Sequence, residues 1–301
     1  MTASAPGKLF LLGEYAVLEG GPALLIPVTQ QANVTVESGT GTVTSISDTS
    51  RTLPSIDAYN EWPLLGAIQQ VLGKESLEGK NLTLDTREFF VGNQKLGLGS
   101  SAALTVALVK ACEPELTDRD VYELADECHR VFQQGIGSGA DIALSAMAQP
   151  IQFSRDSGPT PIGLPNDLHM LAIWTGRSAS TTQLVGSMQA YRRHDPAAYK
   201  KHMTALIDAA NGCIQAVSDQ DSRQILARIE QYDRYLQHLS SDSRVNFYNQ
   251  LHEDMRKKVK LTYKPSGAGG GDFGIAYSTD IDEITALATL LEQEQIISFV
   301  L

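Results

Sequence analysis

The chain has 301 residues, 42% of them hydrophobic, and a formal net charge of −11. That size allows two ordinary domains or one large one with a sizeable core, and no window approaches the roughly 18 uninterrupted apolar residues of a membrane span. The acidic balance argues against a nucleic-acid or anionic-membrane surface, both of which demand an excess of Lys and Arg.

Residues 1–21 lack a charged start followed by an apolar run and a cleavage site, so the expected location is the cytoplasm. Cys112, Cys128 and Cys213 stand far apart without metal spacing and read as small buried side chains rather than disulfides or a zinc site.

In chain order, residues 8–18 and 23–37 alternate apolar and β-favouring residues, which predicts a hairpin turning at Glu19-Gly20-Gly21-Pro22. Residues 38–50, rich in Ser, Thr and Gly, read as short strands or a mobile loop. A helix is expected over 58–72, a strand over 81–90 and a helix over 100–112. Helical spacing resumes over 117–132 with Thr117 as N-cap, and again over 138–147. The Ser-Gly-Pro-Thr-Pro run at 157–161 marks a break, and a soft domain boundary falls near 150–165. A strand at 168–174 precedes helices over 181–193, 196–218 (Asp195 as cap, Pro196 in the first turn), 220–239 and 242–258. A last strand, 272–278, leads to a helix over 281–294 and an apolar end. Strands and helices in such blocks predict an α+β fold rather than a doubly wound sheet.

The most informative stretch is KLGLGSSAALTVAL at 95–108, a glycine-serine turn running into a helix. Gly97 and Gly99 permit close approach or positive φ, while Ser100 and Ser101 can cap the helix and leave its first N–H groups free, an end that attracts phosphate. It is neither a Walker loop nor a dinucleotide fingerprint. With no ligand, the serines are simply caps. In GSGAD at 137–141, Ser138 and Asp141 have capping-box spacing; alternatively Asp141 faces a transferred phosphoryl group. KPSGAGGGDFGIA at 264–276 places Gly267, Gly269, Gly270 and Gly271 in a loop suited to packing against a ligand, with Asp272 as a turn cap. Lys8 opens a buried-looking strand, where a charge needs a partner. In a chain of net negative charge a polyphosphate ligand demands local cations, and Lys8, Lys95, Arg177, Arg192, Arg193 and Lys264 are the candidates. Arg192-Arg193-His194 is most simply a cationic complement to a helix dipole.

PGKLFLLGEYAVLEGG at 6–21, KLGLGSSAAL at 95–104 and KPSGAGGGDFGIA at 264–276 resemble, in order and spacing, the three motifs of the GHMP kinases, the superfamily of galactose, homoserine, mevalonate and phosphomevalonate kinases. The resemblance implies a two-domain GHMP kinase fold: a ribosomal S5 domain 2-like N-terminal domain (1–160) and a ferredoxin-like C-terminal domain (161–301), with ATP and Mg²⁺ as cofactors. Gly13-Glu14-Tyr15, where mevalonate and galactose kinases usually carry Gly-Glu-His, resembles the bacterial phosphomevalonate kinase branch, as do Lys95 before GLGSSA and the stretch Trp174-Thr175-Gly176 with Ser178-Ala179-Ser180-Thr181. Carried over by position, Lys8 and Asp141 are catalytic. Lys95, Gly97, Leu98, Gly99, Ser100, Ser101 and Ala102 hold ATP phosphates, with Ser101 also on the metal. Glu14, Tyr15, Ser138, Ser180, Gly267, Ala268, Gly269 and Gly270 contact the acceptor, and Lys95 is a second candidate for it. The expected partner is a small-molecule acceptor, phosphomevalonate or mevalonate, with no nucleic acid or membrane; a homodimer is left open. Residues 135–141 depart from the mevalonate-kinase form, so Asp141 is either an orienting or metal-holding group or, for a hydroxyl acceptor, a base. A non-catalytic metabolite-binding protein of the same fold is the alternative outside enzymes.

Overall fold

The computed structural model describes residues 1–73, 77–135 and 137–301; Ile136, inside the glycine run 135–141, lies outside the described residues. The chain divides into two compact units, Met1–Lys8 with Ile26–Ile151, and Leu9–Leu25 with Gln152–Leu301. The grouping thus differs from a single cut at residue 160, because Leu9–Leu25 joins the second unit. There the Phe10 N–H donates to Ser266 Oγ (2.9 Å) and Tyr277 OH donates to the Leu11 carbonyl (3.1 Å).

The first unit takes the start of β1 (Thr2–Leu12), most of β2 (Ala23–Ser38), and β3 (Thr42–Ile46), β4 (Ser50–Pro54) and β5 (Lys80–Asp85). The Met1 amino group donates to Val36 O at 2.7 Å and Val36 N–H returns a bond to Met1 O at 2.8 Å. β2 pairs antiparallel with β5, setting Val34 opposite Leu84 and Val36 opposite Leu82, and these apolar residues share the buried face that the period of two dictates. β5 also pairs with β3, in parallel, and β3 with β4 antiparallel. Helices α1 (Ser55–Glu61) and α2 (Pro63–Leu72) follow β4. A small hairpin, β6 (Phe90–Val91) and β7 (Gln94–Lys95), leads to α3 (Ser100–Cys112), α4 (Asp118–Phe132) and α5 (Ala140–Met147).

Three expectations for residues 1–95 change. The first strand stops at Leu12 instead of reaching 18: Gly13 has φ +98 and Tyr15 φ +65, and a short 3-10 turn (Ala16–Glu19) follows. The helix expected over 58–72 is two helices, because Pro63 has no N–H to donate and pushes Trp62 to an extended conformation (φ −111°, ψ 95°). The strand expected over 81–90 ends at Asp85, with the unanticipated β6–β7 hairpin beyond it. The α4 start is as expected, with Thr117 and Asp120 forming a reciprocal capping box.

The second unit holds β8 (Ile151–Ser154, from its second residue) and β9 (Gly158–Pro161), which pair, then β10 (His169–Trp174), α6 (Thr181–His194), α7 (Pro196–Ser218), α8 (Ser222–Ser243), α9 (Gln250–Val259), β11 (Thr262–Pro265), β12 (Phe273–Ser278), α10 (Ile281–Gln293) and β13 (Ser298–Val300). A sheet of order β11-β12-β10-β13 runs antiparallel throughout, with Ala276 opposite Leu171 on one side and Tyr263 on the other. Its core packs Leu171, Ile173, Tyr263 and Ala276 against Met255 and Val259 of α9 and Ile284, Leu287 and Leu291 of α10. The spacing of those α10 residues presents one helix face, and each such side chain is worth roughly 1.5–3 kcal/mol on burial. The Ser-Gly-Pro-Thr-Pro run contains strand β9 rather than only a break, and α8 runs on to Ser243, ending where Arg244 turns left-handed. The mixture of strands and helices is the α+β class expected. Among the described residues no helix is long and apolar enough to cross a membrane.

Candidate active site

In the first unit the glycine-serine turn is built as an open helix end. Gly99, at φ +81°, is the N-cap of α3, and no side chain caps it; Ser100 and Ser101 are the first helical residues, not caps as the ligand-free reading had them. The left-handed N-cap needs glycine, and a Cβ there would also lie 3.2 Å from Lys8 Cε. Lys8 is held beside this turn by its own backbone, whose N–H donates to Leu98 O at 2.9 Å. Its ammonium lies 3.6 Å from Asp141 Oδ2, with the two side chains 11% and 37% exposed.

Asp141 sits in the first turn of α5, which also starts at a left-handed glycine, Gly139, without a side-chain cap. The capping box expected of Ser138 and Asp141 is not formed: the Ser138 hydroxyl accepts from the Ala140 N–H at 3.2 Å and Asp141 turns to Lys8. Two open helix N-termini, each with its partial positive charge, therefore flank a lysine–aspartate pair. Ser101 Oγ faces His129 Nε2 at 3.4 Å, and Thr105 donates to the Ser101 carbonyl. Burial holds the His129 pKa below its ordinary value, against the upward pull of Asp141. Sequence reasoning passed over His129, since its place among the buried residues of α4 reads as core. Gly97 has φ +79°, Leu98 and Ala102 are buried, and Lys95 is exposed on β7.

In the second unit the residues expected to contact the acceptor separate into two groups. Glu14 is 3% exposed and ion-paired with the fully buried Lys264, whose partnership the sequence reading did not foresee. The Tyr15 hydroxyl donates to Ala268 O at 2.6 Å, and its ring packs on Phe247 at 4.7 Å between centroids. Glu14 is thus tied to β11 and Tyr15 to the glycine loop. Burial raises the Glu14 pKa, with Lys264 opposing it. Gly270 donates to Phe247 O at 2.6 Å, and Asn249 donates to Gly270 O at 2.9 Å. Asp272 accepts from the Ala179 N–H (3.0 Å) and donates its own N–H to Arg177 O (2.7 Å). Ser180 caps α6 by accepting from Gln183 N–H, and it lines an open cleft of about 490 Å³ together with Arg177, Arg244, Asn249 and Gly270.

Arg192 pairs with Glu19 at 2.7 Å and, with Arg193 and His194, closes the last turn of α6. The three cysteines are free thiols; Cys128 and Cys213 are buried as expected, Cys112 is only half-buried, and burial pushes Cys128 and Cys213 up to about 12.

Residues 66–149 match the family model of the GHMP kinases N terminal domain. Over 90% of its length the chain is 28% identical to a phosphomevalonate kinase of Streptomyces sp. (strain CL190), of which it covers 88%, and over 96% it is 26% identical to a mevalonate kinase of Thermococcus gammatolerans, of which it covers 92%. The structure of Streptococcus pneumoniae phosphomevalonate kinase in complex with phosphomevalonate and AMPPNP superposes with a TM-score of 0.81 at 20% identity, over the whole of both chains. The chain thus carries a match to the GHMP kinases N terminal domain over residues 66–149, is similar to phosphomevalonate and mevalonate kinases over most of its length, and shares the fold of the Streptococcus pneumoniae enzyme.

Proposed function

We propose that the protein transfers the γ-phosphoryl group of ATP to 5-phosphomevalonate, forming 5-diphosphomevalonate and ADP. The observation that carries this reading is the Lys8–Asp141 pair set against the uncapped end of α3. Phosphoryl transfer asks a protein for in-line positioning and for neutralisation of charge on the phosphoryl oxygens more than for covalent chemistry. The α3 amides and the Lys8 ammonium supply that field.

A phosphate acceptor is already ionised at neutral pH and needs no strong base, so Asp141 orients Lys8 and the reacting groups. The Ser101 hydroxyl and the Asp141 carboxylate are hard oxygen donors, a set that suits Mg²⁺ bound chiefly through substrate phosphates. When bound, the ion would add positive charge against the phosphates. Lys95, exposed on the hairpin before the turn, is assigned to an anionic acceptor.

A mevalonate acceptor is the second reading, favoured by the whole-length similarity to a mevalonate kinase. In that case a hydroxyl must lose its proton, and Asp141 becomes the base. ADP release from Mg-ATP with each acceptor in turn tests the choice: turnover with phosphomevalonate is expected, and turnover with mevalonate alone overturns it.

A further inference from the structure

We propose that Glu14 and Lys264 are positioning residues of the reaction: their buried ion pair holds the glycine loop at 267–271 in register with the turn that follows β1. The proposal rests on the reading that this loop shapes the acceptor pocket.

Lys264 is 0% exposed on β11 and lies 250 positions from Glu14. Its ammonium donates to Glu14 Oε1 and to Pro265 O, and it stands 5.9 Å from the centre of the Tyr232 ring. The Tyr232 hydroxyl donates to the Glu14 carbonyl at 2.6 Å, while Glu14 Oε2 takes no hydrogen bond among the described residues.

Stability alone is a poor reason for such a pair. Removing two charges from water costs several kcal/mol per ion, and well-packed uncharged replacements of similar volume are often as stable or more so. What the pair does is geometric. Consecutive links join the two segments: Phe10 N–H to Ser266 Oγ, Glu14 to Lys264, and Tyr15 OH to Ala268 O. Tyr15 also packs on Phe247, whose carbonyl receives the Gly270 N–H. A loop with glycines at 267, 269, 270 and 271 has a large conformational freedom to lose, and these links are what fixes it.

The test is the double variant Glu14→Gln/Lys264→Met, which removes both charges at similar volume, measured for turnover, melting temperature and native-state amide exchange. We expect a folded protein whose melting temperature is at or above that of the wild type and whose ATP KM is unchanged. Its kcat should fall roughly 10²-fold, the cost of a misplacement on the order of 1 Å. Amide exchange over residues 266–272 should rise at least ~10-fold while β12 stays protected. Lys264→Met alone, which strands a buried carboxylate, should instead lose stability. A double variant that does not fold, or that keeps both its kcat and its exchange rates, overturns the assignment. A wild type that turns over neither acceptor removes the functional reading, and the exchange rates still decide whether the pair orders the loop.

Discussion

Lys8 and Lys264 each face a carboxylate, yet the two pairs are built for opposite ends. The Lys8–Asp141 pair is loose, at 3.6 Å, and Asp141 is 37% exposed beside helix ends that no side chain caps. The Lys264–Glu14 pair is sealed, 0% and 3% exposed, and bonded to the Pro265 carbonyl at the end of β11. A charge that must act on a ligand is left reachable, whereas a charge that must hold backbone in place is buried.

Substitutions should separate these roles. Lys8→Met is expected to fold normally and to lower kcat by about 10³-fold, the upper range for removing one preorganised donor to a developing charge; a folded variant with near-normal kcat would break the comparison at its open end. Asp141→Asn should lower kcat by about 10²-fold without reshaping the pH–rate profile, because an ionised phosphate acceptor needs no base. Loss of an acidic limb in that profile would instead make Asp141 a base.

The buried side is sharpened by pH. Asp233, fully buried beside Arg256 and Tyr248, has its pKa pushed up to about 6 by burial, from 3.8. Its contribution to stability is therefore present in full below about pH 4 and lost as pH rises through 6. His252, hydrogen-bonded to Tyr263 and pushed down to about 4 from 6.5, contributes in the opposite sense: present above about pH 6.5, lost as pH falls through 4. Urea titrations of Asp233→Asn should show stability falling more steeply than in the wild type between pH 6.5 and 4, by about 2–3 kcal/mol. An unchanged slope would mean that the two groups are not the source of the pH dependence. The smallest effect is expected at Lys95→Ala, with the KM for the acceptor raised by roughly tenfold, the loss of one charge-assisted contact, and the KM for ATP nearly unchanged. An unchanged acceptor KM would count against a phosphorylated acceptor.

Much of the local structure was legible in the sequence, where a side chain reports on its own turn. Thr117, and Asp195 with Pro196, mark helix starts that the structure reproduces. Pro63 carried the signal for the broken helix, but apolar periodicity across 58–72 masked it. Strands β9 and β11 span only four residues each and carry Gly or Pro, too little for alternation to register. The motifs located Lys8, Asp141 and both glycine turns, yet not how those turns are held. Ser100 and Ser138 read as caps because spacing alone cannot tell a capping serine from one that follows or precedes a left-handed glycine. The Glu14–Lys264 pair was invisible for a plainer reason: only folding brings together groups so far apart in the chain.

The most direct measurement is phosphorus NMR of the products formed from Mg-ATP and each acceptor. With phosphomevalonate, the resonances of a new diphosphate ester should appear in step with ADP, and with mevalonate no new phosphomonoester should form. A phosphomonoester accumulating from mevalonate, while phosphomevalonate is left untouched, would contradict the account.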